Sequence, residues 1–289
     1  MCRKLLFGES EEVQGAKCNN FTHIPLFLMP SCYLQSISFN TSTMQKNISQ
    51  KTCFMTGATG VLGSAIAEAI AKQGYSLFFT WNGSEAKALL LLERLQAISP
   101  HSAMVRCDVA QPSAIAEAFI EFRERYQRLD LLVASASNFF RTTLPEVTEA
   151  EWDALVNTNL KGTFFTMQEA ARMMQQQSFV SRIITMTDIS ANLAWRGFAP
   201  YTASKAAIQH ITRLFAKTFA PTILVNSIAP GTITLNPEHA TEAALDAVTN
   251  VPLRRTGEPA DIVRTVLFLL EQEYMTGQIL AVDGGRLLA

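Results

Sequence analysis

The chain has almost no surplus of charge: 24 Lys and Arg stand against 25 Asp and Glu, for a formal net charge of -1. Nothing in that balance attracts a phosphate backbone or an anionic bilayer, so neither nucleic acid nor a membrane is an expected partner. Histidine is scarce. The four (His23, His101, His210, His239) show no paired ligand spacing, and no metal site is expected. His210 reads as a packing or surface residue. The five cysteines, Cys2, Cys18, Cys32, Cys53 and Cys107, follow neither a zinc pattern nor a small-domain disulfide framework. Cys53 and Cys107 fall in expected strands, where a free thiol behaves as a small buried hydrophobe; a reduced, cytoplasmic setting fits. No apolar run is long enough to span a membrane. The run Ile24–Leu34 is short, contains Pro25 and Pro30, and lies too far from the start for an ordinary signal peptide.

What is present is a large apolar share, 48% of 289 residues, enough to fill a sizeable core. Residues 1–43 show no clear period and hold three of the five cysteines. They read as an extension: a targeting or interaction arm, or a loose tail ahead of a start at Met44. Residues 44–289 read as a single domain. Strands are expected at Thr52–Thr56, Ser76–Thr80, Ala103–Cys107, Leu129–Ala134, Arg182–Thr187, Ile223–Ile228 and Gln278–Val282. Helices are expected at Leu62–Gln73, Glu85–Ala97, Ser113–Tyr126, Glu149–Gln175, Tyr201–Phe219 and Pro259–Glu271. Several strands are apolar on both faces, as a sheet covered on both sides requires. Strictly alternating strand and helix predicts an α/β fold, a doubly wound parallel sheet of Rossmann type with about seven strands.

The first strand runs into TGATGVLG, which places Gly57, Gly60 and Gly63 before a helix, with Thr59, Val61 and Leu62 between them. Glycines there let the backbone turn sharply and approach a pyrophosphate, whose charge meets the helix N-terminus. The second strand is followed by Trp81, Asn82, Gly83 and Ser84. An NAD site usually keeps an acid here for the ribose 2′-hydroxyl, and none is present. Asn82-Gly83 reads as a turn and Ser84 as a helix N-cap, a start that tolerates a 2′-phosphate. NADPH is therefore favoured over NADH, although no arginine follows the strand to clamp the phosphate. Asp108 and Val109, after the third strand, are candidates for the adenine; Asp108 is alternatively a simple strand end.

Tyr201 and Lys205 stand four apart in YTASK, and Asp188 lies thirteen residues before the tyrosine. At that spacing Tyr201 and Lys205 share one helix face. A phenol with a reference pKa of about 10 is a proton donor at neutral pH, and a neighbouring ammonium is expected to lower that value. The pair suits a reaction in which a hydride reaches carbon and a proton reaches the adjacent heteroatom. Asp188 repels a developing alkoxide, but it suits a substrate with N–H donors or a ring nitrogen that takes up a proton. It can also act protonated, as a donor, or simply cap the loop after its strand.

With the glycine loop, YTASK and IAPGTI together, residues from Lys51 to Ala289 resemble the short-chain dehydrogenase/reductase family, and VNTNLKG and GQILAVDGG are similar to its later marks. The order differs in two places. Gly60 comes one position early, with Val61 where the family has its middle glycine. Ala134-Ser135-Ala136-Ser137 replaces the usual NNAG after the fourth strand. The resemblance implies that Lys205 holds the nicotinamide ribose and that Asn159 helps to order a relay water. It also implies that Pro230, Gly231 and Thr232 lie beside the nicotinamide, followed by a substrate loop over Leu235–Val251. The segment ASASNFFRTTL and Asp188 in a serine's place resemble the pteridine reductase branch. That resemblance implies a substrate site of Ser137, Phe139, Asp188 and Tyr201, with Phe139 stacked on a flat ring; otherwise Phe139 is a core aromatic.

The leading expectation is an NADPH-dependent reductase of a dihydropterin or dihydrofolate. A carbonyl reductase, for example of a 3-oxoacyl thioester, is the second. A catalytically weak nucleotide-binding sensor or scaffold is a third, of another class, suggested by the altered glycine loop. The resemblance also implies a homo-oligomer, with a tetramer fitting the family.

Overall fold

Strand β1 (Thr52–Thr56) is buried along its whole length, because the apolar run of the sequence faces helices on both sides. The protein is described by a computed structural model that covers residues 50–234 and 249–288. The expected extension, residues 1–43, and positions 235–248 of the expected substrate loop lie outside the described residues.

After β1 come α1 (Val61–Lys72), β2 (Ser76–Trp81), α2 (Glu85–Ile98), β3 (Ala103–Arg106), α3 (Pro112–Arg125) and β4 (Leu131–Ala134). They are followed by α4 (Glu149–Val156), α5 (Gly162–Met174), β5 (Ser181–Met186), α6 (Ala199–Phe219), β6 (Ile223–Pro230), α7 (Pro259–Glu271) and β7 (Ile279–Val282). All seven strands are parallel in the order β3-β2-β1-β4-β5-β6-β7. The expected α/β sheet is therefore present, with strand ends displaced by one or two residues.

Alternation along the strands sorts the core into two layers. Cys53 and Met55 point with Leu77, Phe79, Leu131 and Val133 into the layer that also holds Ile66 and Ile70 of α1 and Ile262 of α7. Phe54 and Phe78 point the other way and pack with Phe119 and Phe122 of α3. Phe54 and Phe119 stack with centroids 4.1 Å apart and planes at 7°. Burying such side chains contributes about 1.5–3 kcal/mol each. The chain crosses back over β1 between β3 and β4, so the carboxyl ends of β1 and β4 flank the point where strand order reverses. Open α/β sheets bind their ligands in that crevice.

One expected helix differs. Glu149–Gln175 is not continuous: α4 and α5 are separated by a wider turn, Asn157–Lys161, in which the Gly162 N–H donates to Asn157 O. The fully buried Asn159 lies in this bulge. Its Oδ1 accepts from Asn138 N–H at 2.7 Å and its Nδ2 donates to Asn138 O at 3.0 Å. A helix that widens by one residue at a functional side chain is a known device, and here it seats the amide against the segment after β4.

Candidate active site

Thr56 closes β1 and ties the two central strands together, its Oγ1 accepting from Ser135 N–H at 3.1 Å and Ala136 N–H at 3.2 Å. Gly57 follows with φ +71, and a Cβ there would stand 2.6 Å from the Ala136 nitrogen. No other residue type fits without moving the backbone. A Cβ on Gly63 would lie 2.1 Å from Gly57 O, so helix α1 sits directly on the loop. Gly60 is the N-cap of α1, whose first turn carries no acid. Val61 opens the helix half-exposed, so the missing middle glycine is met by pointing the side chain outward.

A cleft of about 630 Å³ opens over this loop. Its wall holds Gly57, Thr59, Gly60, Val61, Leu62, Gly63, Asn82, Asp108, Val109, Ser135 and Ala136, all expected from the sequence. The expected substrate residue Ser137 also lines it. Thr80, Trp81, Gly83, Cys107, Asn138, Ala154 and Thr158 join the wall without having been given a site role; Asn138 and Thr158 belong to segments that the sequence had marked, ASASNFFRTTL and VNTNLKG. Size, tight glycines and an acid-free helix start suit a dinucleotide. Ser84 stands just outside as the α2 N-cap, its side chain accepting from Lys87 N–H at 3.4 Å. Ala134 is buried at the end of β4 beneath the wall. Asp108 lines the cleft and also turns the chain, its carboxylate accepting from Ala110 N–H at 3.0 Å.

The sequence shows no arginine after β2, but the fold brings one from β3. Arg106 is the register partner of Trp81, and its guanidinium lies 5.9 Å from the indole centroid. Pro230, Gly231 and Thr232 are not in the wall of this cleft. A Cβ on Gly231 would meet the Asp283 backbone at 2.6 Å, and Thr232 faces a second cavity of about 510 Å³ with Gly257, Gly284 and Gly285.

The proton-handling groups gather at the carboxyl end of β5 and the start of α6. Pro200 stands in the first turn of that helix, where its missing N–H costs nothing. Asp188 caps a single 3₁₀ turn (Ile189–Ala191), one carboxylate oxygen accepting from Ser190 N–H at 2.7 Å. The other oxygen accepts from the Tyr201 hydroxyl at 3.0 Å. Asp188 thus caps its turn, one of the two sequence alternatives, and at the same time contacts Tyr201. Lys205 is buried; its Nζ donates to Met186 O at 3.1 Å and lies 5.5 Å from the Tyr201 ring centroid. Ser204 Oγ, between them on the helix, donates to Tyr201 O at 2.6 Å and accepts from Asn159 Nδ2 at 3.4 Å.

The electrostatics differ from the expectation. Lys205 does not hold the phenol below its ordinary value. Burial pushes Tyr201 well up, and the charge and hydrogen bond of Asp188 push it further. Burial brings the Lys205 ammonium down to about 8, against an opposing lift from Asp188. Tyr201 and Lys205 are both buried, which disfavours the charged form of each.

Phe139 is not a core aromatic: it is 59% exposed. Its ring meets Tyr201 edge-on at 4.8 Å and 74°, and one face is stacked on Phe198 at 5.0 Å and 5°. Trp195 meets Phe198 edge-on at 6.1 Å. Phe198 and Trp195 were not foreseen. The signal was available, since Phe198 stands three residues before Tyr201, on the same side of the helix start. Among the described residues no group of His, Cys, Asp or Glu is placed to hold a metal, and no helix is long and apolar enough to cross a membrane.

Fold and site together define a nucleotide-binding oxidoreductase, and comparison with known proteins gives the family. Residues 57–286 match the family described as enoyl-(acyl carrier protein) reductase. The 3-oxoacyl-[acyl-carrier-protein] reductase FabG of Staphylococcus epidermidis is 33% identical over 241 residues, 81% of this chain and 98% of that protein. The protein of the same name from Thermotoga maritima is 31% identical over 245 residues, 81% of this chain and 97% of its own length. Acetoin dehydrogenase YohF from Salmonella typhimurium superposes with a TM-score of 0.75 at 28% identity, covering 83% of this chain and 98% of that one. The chain belongs to the short-chain dehydrogenase/reductase family and is an oxidoreductase. The pteridine reductase branch does not appear among these relatives; 3-oxoacyl reductases do.

Proposed function

We propose that the protein is an NADPH-dependent reductase of a pterin-type ring, a dihydropterin or dihydrofolate. The observation that carries this reading is the 3.0 Å hydrogen bond from Tyr201 to Asp188, beside the open face of Phe139. Bound in the glycine-loop cleft, a reduced nicotinamide supplies the hydride. Every other task falls to side chains. Asp188 accepts an N–H of the substrate, which offsets its charge and frees the Tyr201 hydroxyl from it. Tyr201 then passes its proton to the ring nitrogen next to the carbon that has received the hydride. Lys205 stabilises the phenolate left behind and reaches the cofactor ribose, and Phe139 covers the ring. Asn159 holds the Asn138 backbone at the rim and takes part in the proton relay. Pro230, Gly231 and Thr232 shape the nicotinamide end.

The relatives favour a second reading, reduction of a 3-oxoacyl thioester, because that is the activity in the names of the 3-oxoacyl reductases. Against it stands Asp188. An alkoxide forming about 4 Å from an ionised carboxylate meets roughly 4 kcal/mol of repulsion at an effective dielectric of 20, an upper guide. Steady-state turnover of dihydrobiopterin, dihydrofolate and an acetoacetyl thioester with NADPH separates the readings. Turnover of the pterins supports the first; turnover of the thioester alone overturns it in favour of the second. Tight NADPH binding with no turnover of any substrate would leave a nucleotide sensor.

A homo-oligomer, a tetramer by family habit, is part of the same proposal. Trp152 of α4 and Leu214 of α6 are about half exposed, apolar surface that a second copy would cover. Sedimentation of a monomer at micromolar concentration would refute it.

A further inference from the structure

The NADPH reading leaves the 2′-phosphate with no cation after β2, and the neighbouring strand supplies one. Trp81 ends β2 and Arg106 ends β3; the two are in register, so their side chains leave the same face of the sheet. Cys107 N–H donates to Trp81 O at 2.8 Å and binds the two strand ends together beneath the pair. The guanidinium lies over the indole at 5.9 Å, a cation–π contact that orders a long side chain. Trp81 lines the nucleotide cleft together with Asn82 and Gly83. Arg106 is exposed, and among the described residues none of the ion pairs involves it. A guanidinium carries five N–H donors in a rigid planar fork that suits an anion such as a phosphate. In the adjoining first turn of α2, Glu85 and Lys87 are both exposed and of opposite sign, so their charges largely cancel.

We infer that Arg106, held on the Trp81 indole, is the residue that selects a 2′-phosphorylated adenosine over one with a free 2′-hydroxyl. The inference rests on the NADPH reading. It explains how a chain with no arginine after β2, and with Gly60 and Val61 in its glycine loop, meets the extra phosphate.

The test is calorimetric titration of the wild type, Arg106→Gln and Arg106→Lys with NADPH, NADH, adenosine 2′,5′-bisphosphate and AMP. The wild type is expected to prefer the 2′-phosphorylated member of each pair. Arg106→Gln is expected to raise the Kd for NADPH about ten- to a hundred-fold, the loss of one charge-assisted contact, and to leave NADH within about two-fold. Arg106→Lys retains part of the preference, because it keeps the charge without the planar fork. Quenching of tryptophan emission by bound nucleotide gives a second readout. A wild type that shows no preference, or prefers NADH, overturns the NADPH reading and this inference with it. A preference that survives Arg106→Gln overturns the inference alone. Equal weakening of both cofactors also overturns it, since the arginine would then serve the adenine.

Discussion

Replacing Asp188 by serine separates the two substrate readings within a single protein. The carboxylate accepts one hydrogen bond from Ser190 N–H at 2.7 Å and one from Tyr201 at 3.0 Å. Serine is a competent cap, so the 3₁₀ turn keeps an acceptor and stability is expected to change by less than about 1 kcal/mol. What disappears is the charge. A hydrogen bond to an ionised partner contributes about 1.5–3 kcal/mol, and each 1.4 kcal/mol is roughly tenfold in rate. With dihydrobiopterin, kcat/KM should fall about 10- to 100-fold. With an acetoacetyl thioester it should hold or rise, because serine can donate to the forming alkoxide. The carboxylate raises Tyr201 through both its charge and its hydrogen bond, so its loss also moves the basic limb of the pH–rate profile to lower pH. The assay is initial-rate consumption of NADPH across a pH series, with a melting curve beside it. Unchanged pterin turnover in a stably folded Asp188→Ser protein would refute the role given to the carboxylate.

Other outcomes follow from the same geometry. Tyr201→Phe removes the donor and should lower kcat by at least about 10²-fold while NADPH still binds; single-turnover kinetics would show it. Gly57→Ala places a Cβ 2.6 Å from the Ala136 nitrogen at φ +71, so both Tm and NADPH affinity should drop, with a stability loss of about 1–3 kcal/mol in urea titration. Lys205 has its folded pKa depressed to about 8, so between about pH 8 and 10.5 the unfolded chain binds the extra proton and this group's contribution to stability rises with pH. Lys205→Met abolishes that rise. From pH 7 to pH 9 the wild type should gain about 1 kcal/mol relative to the variant, and a flat difference would contradict the assignment.

The frame of the molecule was legible because local chemistry and backbone demand coincide in it. Gly63 is required by its contact with Gly57 O within the loop, Gly57 by its own positive φ as well as by Ala136 of the neighbouring strand end, and Ser84 caps its own helix. The YTASK spacing survives as a helix face for the same reason. The misread parts depend on partners far away in the chain. The helix expected over Glu149–Gln175 is broken because Asn159 is bound to the Asn138 backbone, a tertiary contact that no periodicity reports. Arg106 meets Trp81 only through β2–β3 pairing. The sign of the effect on Tyr201 is set first by burial and then by the charge and hydrogen bond of Asp188, and sequence spacing reports neither the burial nor the contact. Family marks reached the reaction type; the proposed substrate rests on Asp188 and Phe139, whose contacts with Tyr201 only the fold displays.

The central claim, hydride delivery to a pterin ring, is tested most directly by internal competition. The protein is given NADPH with deuterium at the transferable carbon and equal concentrations of dihydrobiopterin and an acetoacetyl thioester, and both products are weighed by mass spectrometry. The account predicts the label in the tetrahydropterin. Deuterium found only in the hydroxyacyl thioester would contradict it.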